Sequence, residues 1–425
     1  MKVLLVIPGW HPSSLWGQIR FKFPPLSLLM LASTTPEGVE VSILDENLEI
    51  MNDEIDADLV GITVITPQAP RAYEIANQLR KSGKKVVLGG FHVSHLPEEA
   101  LNHADAVVIG EGDRVWKEVI KDFKEYGLKR IYKDDEFVSL AESKEPRRDL
   151  AKGKGYLFTN TIQTTRGCPF QCEFCSVSSF FGRSYRTRPI PLVIKELERL
   201  RRESVFLFLV DDNLVGNRSY AKALFQEMTP FQFKWASHAP LHFADDEELL
   251  KLASQSGCIA LFVGFESLSP ENLSMMAKES NLKTSPVEAV KRFHDHGIGV
   301  LASFILGYDY DTPDTFKKIL DFCHRIKVDG ALFPILTPYP GTDLRERLKR
   351  EGRILTNRWD LYDMEHVTFV PKRMSPEKLQ EGFEWLNSSF LSWNSIFRRL
   401  FKIHRSLQIF GPMNLGFRKA WRGRK

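Results

Sequence analysis

The stretch Thr164-Thr-Arg-Gly-Cys168-Pro-Phe-Gln-Cys172-Glu-Phe-Cys175 places three thiols within eight residues, at the spacing C-x3-C-x2-C. The chain has 425 residues and only five cysteines, so this is a cluster and not background. Thiolates are the ligands of iron–sulfur clusters, and a cubane normally takes four. Three thiolates from one loop leave one iron open. An open metal position is what makes a metal centre catalytic. Structural zinc would call for paired C-x2-C groups, and no second pair exists. Cys258 and Cys323 stand alone in apolar surroundings and read as buried thiols.

Outward from this loop the chain alternates strand and helix. Residues 159–164, 206–210, 234–238, 261–265, 299–306 and 330–336 read as short apolar strands, with helical stretches between them. Six βα units predict an open, partial (β/α)6 barrel. Upstream, residues 3–7, 40–44, 59–63, 85–88 and 106–109 form a separate βα series. That pattern predicts a doubly wound, Rossmann-like parallel sheet. The expected domains are 1–125, a linker over 126–155, a barrel over 156–375 and a helical, basic tail over 376–425.

Barrels place their chemistry at the carboxyl ends of strands. Each expected strand end here is polar or glycine-rich: Asp211-Asp212-Asn213, Ser237-His238, Gly264-Phe-Glu266, Gly307-Tyr-Asp309 and Thr337-Pro-Tyr-Pro-Gly341. One such end is ordinary turn chemistry. Several in register predict a rim site. Each carboxylate also precedes a helix, so N-capping is the competing reading for Asp211, Asp212 and Glu266.

The cysteine loop, with Phe174 before its last cysteine, resembles the signature of the radical S-adenosylmethionine (SAM) enzymes. The resemblance implies that Cys168, Cys172 and Cys175 hold a [4Fe-4S] cluster whose fourth iron is chelated by SAM. It also implies reductive cleavage of SAM to a 5′-deoxyadenosyl radical, fed by a donor such as flavodoxin or ferredoxin. Asp211 or Asp212 then resembles the polar motif that meets the SAM amino group. Glu266 resembles the family's Gly-Ile-Glu-Ser element, placed for the ribose. Gly307 would let backbone approach adenine closely. No catalytic residue beyond these is assigned. The run Phe180-Phe181-Gly-Arg183-Ser-Tyr185-Arg186 reads either as a shield and anion grip or as loop packing.

Residues 1–120 resemble the cobalamin-binding domain found in one subgroup of that family. The similar elements are Pro24-Pro25-Leu26, Asp45-Glu-Asn47, Gly89-Gly90-x-His92 and Gly110-Glu111-Gly112. Gly89 and Gly90 are the cobalamin-contacting candidates. The lower-ligand motif D-x-H-x-x-G is absent, since His11 lacks both the Asp and the Gly. Cobalamin is therefore expected without a histidine ligand to cobalt; the alternative is a retained fold without the cofactor.

The net charge of +4 is unevenly spread. Residues 391–425 hold nine Lys or Arg and no acid, leaving 1–390 at −5. Trp393, Ile396, Phe397, Leu400, Phe401, Ile403 and Leu407 recur at helical spacing among the cations, and Pro412 is expected to end that helix. A basic amphipathic helix with aromatics predicts peripheral membrane contact; the alternative is a helix docked on the barrel. No recognisable nucleic-acid module accompanies it, so no nucleic-acid partner is expected. No signal peptide and no apolar run long enough to span a membrane are found. Clustered, unpaired cysteines fit a reducing cytoplasm, so the expected location is cytoplasmic, with peripheral contact at the membrane surface expected from the tail.

The function expected is radical SAM chemistry at an unactivated C–H bond, with cobalamin-dependent C-methylation of a lipid or isoprenoid-like substrate. The alternatives are rearrangement, cyclisation or coupling without cobalamin, tRNA modification, and, from another class, an iron–sulfur electron carrier or sensor.

Overall fold

The computed structural model of the chain describes residues 1–19, 22–52, 54–156, 160–400 and 407–424. The first βα series forms a six-stranded parallel sheet. Its strands are β1 (Lys2–Ile7), β2 (Glu40–Asp45), β3 (Leu59–Thr63), β4 (Lys85–Gly89), β5 (Ala106–Ile109) and β6 (Ile131–Lys133), in the order β2-β1-β3-β4-β5-β6. The order reverses beside β1, which opens a crevice at the carboxyl ends of β1 and β3. Leu5, Leu59 and Val87 pack on Trp116 of the helix Gly112–Glu125, while Val6, Val60 and Ile62 pack under the helix Ala69–Lys81. Both faces are covered, which is why these strands read as unbroken apolar runs.

β6 falls inside the stretch expected as linker. Tyr132 is buried there and donates its hydroxyl to Asp122 at 3.2 Å. A three-residue edge strand among lysines is too short to show a period.

Two short strands, β7 (Thr161–Ile162) and β8 (Thr165–Gly167), lead into the cysteine loop, and β9 (Tyr185–Thr187) returns antiparallel to β8. This hairpin was not expected from the sequence. The second sheet then runs through β10 (Phe206–Leu209), β11 (Lys234–Pro240), β12 (Cys258–Glu266), β13 (Gly299–Phe304) and β14 (Gly330–Leu332). Its order, β14-β13-β12-β11-β10-β7, is parallel and sequential, giving the expected six-stranded open arc. Residue 159, expected in the first strand, lies outside the described residues.

The tail folds as helices Pro376–Phe390, Trp393–Leu400 and Leu407–Gly423. Pro412 does not end a helix; it lies inside the last one. A helical proline costs about 3 kcal/mol. Packing on both sides of it outweighs that cost. Phe410 and Met413 press against Ala260 and Leu301 on the concave face of the sheet, and a Cβ at Gly330 would sit 2.7 Å from Met413. Asn414 donates to the Asp329 carbonyl at 3.0 Å. Phe401, Lys402, Ile403, Arg405 and Lys425 of the expected basic tail lie outside the described residues.

Candidate active site

At the carboxyl ends of the second sheet lies a cavity of about 330 Å³. Cys168, Cys172 and Cys175 all line it, together with Asp212, Asn213, His238, Glu266 and Lys278. Most of its remaining wall is apolar, with Phe170, Phe174, Phe262, Ile305 and Met364, interrupted by Ser303, Thr337 and Tyr339.

The cysteine loop is held at both ends. Gly167 has φ +84°, and a Cβ there would collide with the Ser184 carbonyl, so the hairpin closes only with glycine. Within the loop, Cys175 N donates to the Cys172 carbonyl at 3.0 Å. Glu173 points away from the cavity. It accepts from Tyr308 Oη at 2.7 Å and Arg347 Nη2 at 2.9 Å, and Arg347 also bonds Asp309 at 2.9 Å. The fifth strand end thus serves to anchor the loop.

The two neighbouring aspartates split their roles. Asp211 is fully buried and turned away from the cavity. It accepts from Thr164 N at 2.7 Å, from Thr164 Oγ1 at 2.9 Å, from Thr165 Oγ1 at 3.0 Å and from Thr165 N. Burial nonetheless pushes its carboxyl up to about 6. Asp212 faces the cavity and accepts from Gly167 N at 3.1 Å. Neither caps a helix: Asn217 caps the next one.

Glu266 also faces the cavity and is no cap, since Ser269 caps the helix that follows. Its φ is +65°, a conformation that costs an ordinary residue about 1–3 kcal/mol. The register with β13 shifts between Gly264 and Glu266, and this bulge turns the carboxylate inward. Gly264 makes room for it, because a Cβ there would overlap Glu266 Oε1. Glu266 pairs with Lys278 at 3.2 Å. Burial opposes the charge on Lys278, but Glu266 and the Cys172 sulfur more than offset it, and its pKa rises. A part-buried ammonium, paired with Glu266, therefore sits in the same cavity wall as the thiols. Sequence reading missed Lys278. Its only signal is a cation following the apolar pair Met275-Met276.

His238, at the end of β11, shares this wall. Burial lowers the pKa of its imidazole, and Nδ1 completes no hydrogen bond although the ring lies near the Asp211 backbone. Gly307 does not join the cavity wall. A Cβ there would meet Leu379 at 2.6 Å, and its N–H donates to Asp311 at 2.9 Å, so its φ of +96° serves a packed turn.

The donor set suits an iron–sulfur cluster. Three thiols, each a free cysteine, converge on one wall, but no three His, Cys, Asp or Glu side chains among the described residues close around a single ion. A cubane binds each thiolate at a different iron and spreads them. Burial pushes Cys172 up to about 11, so metal binding must drive its deprotonation.

The first domain abuts this site. Glu111 is buried and accepts from Arg166 at 2.7 Å and from Arg186 at 2.7 and 3.0 Å. Phe91 stacks on Phe180 at 4.3 Å, which assigns the post-cluster aromatics to domain packing. Gly90, with φ +106°, crosses so close to Val64 that a Cβ would meet its carbonyl at 2.8 Å. Gly9, Thr63, Gly89 and Gly90 border the switch-point crevice, and all are part-exposed. Small side chains there suit the approach of a large, flat cofactor. The histidines near it are engaged: His11 Nδ1 with Ser13 at 2.7 Å, and His92 Nε2 with Glu99 at 3.1 Å.

Comparison with known proteins agrees with this geometry. The radical SAM superfamily matches residues 162–323, and the B12 binding domain matches residues 13–120. The chain is 33% identical over 386 residues to the bacteriochlorophyllide d C-12(1)-methyltransferase of Chlorobaculum tepidum, covering 88% of this chain and 84% of that one. It is 30% identical over 376 residues to the hopanoid C-2 methylase of Rhodopseudomonas palustris, covering 83% and 71%. Its fold is similar to that of the radical SAM methyltransferase TsrM from Kitasatospora setae, solved with cobalamin and a [4Fe-4S] cluster, with TM-score 0.64, 19% identity and coverage of 82% and 78%. It is also similar to the cobalamin-dependent SAM radical enzyme OxsB, with TM-score 0.70, 16% identity and coverage of 98% and 71%.

Proposed function

The chain belongs to the radical SAM superfamily and carries a B12-binding domain, and on that premise we propose that it is a cobalamin-dependent C-methyltransferase of an apolar, ring-bearing substrate. The observation that carries this reading is the convergence of three thiols, Asp212, Glu266 and Lys278 on one cavity, with the thiol loop's hairpin held by the first domain. When bound, the cluster supplies the electron that cleaves SAM and cobalamin supplies the methyl group.

The residues of this chain bind, orient and exclude water. Cys168, Cys172 and Cys175 hold the cluster. Lys278 offers its ammonium to the carboxylate of SAM, and Asp212 its carboxylate to the amino group. Glu266 fixes Lys278 and presents its second oxygen to ribose hydroxyls. Asp211 acts one step back, by shaping the backbone before Cys168. Gly89 and Gly90 border the cobalamin crevice. An electron carrier with no turnover has no need of a cavity that brings an ammonium and two carboxylates to its cluster.

The apolar wall of Phe170, Phe174, Phe262, Ile305 and Met364 supports an apolar substrate. The relatives named above act on a bacteriochlorophyllide and a hopanoid, both large ring systems. We infer in addition that a flavodoxin- or ferredoxin-like carrier donates the electron and that the tail makes peripheral membrane contact. The test of the reaction is anaerobic incubation of the reconstituted enzyme with methyl-labelled SAM and a bacteriochlorophyllide or a hopanoid. Label on a carbon of the product is expected. Turnover to an unlabelled product would favour rearrangement, cyclisation or coupling.

A further inference from the structure

The helix Trp393–Leu400 has two unlike faces. Ser395, Ile396 and Arg399 are buried. Arg399 donates to the carbonyls of Asp329 at 2.9 Å and Phe390 at 3.1 Å, so this side is docked on the barrel. The other side carries Trp393 and Phe397, 48% and 61% exposed, with their rings stacked at 5.9 Å. Arg418 lies over Trp393 at 4.6 Å, which fixes the ring outward. Trp385, on the preceding helix, is 45% exposed. The helix is thus docked on one side and leaves two aromatics exposed on the other.

Alongside this helix runs an open groove lined by His324, Ser388, Ser392, Asn394, Ser395 and Arg398, with Ser389 and Leu320 completing it. Among the described residues no Asp or Glu lines it. His324 Nε2 meets Ser395 Oγ at 2.8 Å. The acid nearest in sequence is Asp321, one turn before His324. Hydroxyls, an amide and a guanidinium are the donors that suit a phosphate. Arg399 is buried and Arg424 pairs with Glu365, so the described cations at this face are the exposed Arg398 and, over Trp393, Arg418. Trp favours the membrane–water interface, where its ring is half apolar and half wet.

We propose that this face docks on an anionic bilayer, with Trp393 and Phe397 entering the interface and the serine-rich groove receiving a phospholipid phosphate. This rests on the peripheral membrane contact proposed above and assigns it a specific site. It brings the chain to the surface where apolar substrates are dissolved.

The test is co-sedimentation of the full chain with phosphatidylglycerol–phosphatidylcholine vesicles and with pure phosphatidylcholine vesicles, at low and high salt. Anionic vesicles should bind it and lose it at high salt. The double variant Trp393→Ser, Phe397→Ser should weaken binding about tenfold or more, since two interfacial aromatics leave. Ser392 accepts from Ser395 N at 3.2 Å as a helix cap. Ser392→Asp and Ser392→Asn both keep a capping oxygen, so both should fold. The aspartate should weaken anionic binding while the asparagine should not. Equal binding by those two variants would overturn the groove as a phosphate site and leave membrane contact standing. Equal binding to neutral vesicles would overturn the charge argument. No sedimentation with any vesicle would overturn membrane contact itself. The 5′-deoxyadenosine yield of every variant should match the parent, so none of these outcomes touches the proposed methyl transfer.

Discussion

Glu111 and Arg166 meet across the domain boundary: the carboxylate of one accepts from the guanidinium of the other at 2.7 Å, and both are buried. Arg166 lies two residues before Cys168. The first domain therefore holds the strand that leads into the thiol loop. Arg186, on the opposite strand of the hairpin, closes on the same carboxylate at 2.7 Å. One acid thus orders both strands of the hairpin that carries the loop.

Glu111→Gln should lower stability by about 3–5 kcal/mol, the range for breaking a buried ion pair and leaving a charge unmatched. Burial alone would raise the Glu111 pKa, but Arg186 and Arg166 outweigh it and hold it below the usual carboxylate range. The stabilisation is therefore present above the ordinary value of about 4.3 and is lost as pH falls through the lower folded value. Thermal midpoints of parent and variant should converge as pH drops below about 4. A gap that persists unchanged into acid would assign the effect to packing.

Lys278→Met should leave iron content unchanged and weaken SAM binding by about 1.5–3 kcal/mol, the worth of one charge-assisted hydrogen bond. Glu266→Gln should act in the same direction with a smaller effect, since the ammonium remains. Equilibrium dialysis of SAM against the reconstituted protein measures both. Unchanged affinity in Lys278→Met would return the pair to a structural role.

Gly264→Ala should reproduce much of the Glu266 defect without touching a charge. The added Cβ has no space beside Glu266 Oε1. Loss of SAM affinity with a retained cluster spectrum is expected. A fully active variant would mean that the strained conformation at Glu266 is not needed.

Asp211→Asn and Asp212→Asn should separate cleanly. The first leaves Oδ1 to accept both backbone N–H groups but puts an amide NH2 group where Oδ2 accepts from Thr164 Oγ1 at 2.9 Å, and should lower thermal stability and cluster retention. The second should keep the cluster and weaken SAM binding. Identical behaviour of the two would contradict the division of roles.

The sequence made the thiol loop legible because three of five cysteines fall together, and it made both sheets legible because their strands are apolar and evenly spaced. The choice between Asp211 and Asp212 was not legible. Adjacent residues in extended chain point to opposite sides, and nothing local fixes which side is the cavity. Lys278 follows a short helix and a turn, where no period marks an inward side chain. Gly307 misled because a positive φ serves a packed turn as well as a ligand. Pro412 misled because the local rule is strong, whereas the packing that overrides it comes from strands far away in the chain.

Radical cleavage and methyl transfer through cobalamin leave different products of SAM. The protein is reconstituted anaerobically with iron and sulfide, with or without cobalamin, and given SAM and a reductant. The proposed function predicts 5′-deoxyadenosine in both preparations and S-adenosylhomocysteine only where cobalamin is present. Replacing Cys168, Cys172 and Cys175 together by Ala should abolish the first product. 5′-Deoxyadenosine surviving that triple replacement, or cobalamin-loaded protein that forms no S-adenosylhomocysteine, would contradict it.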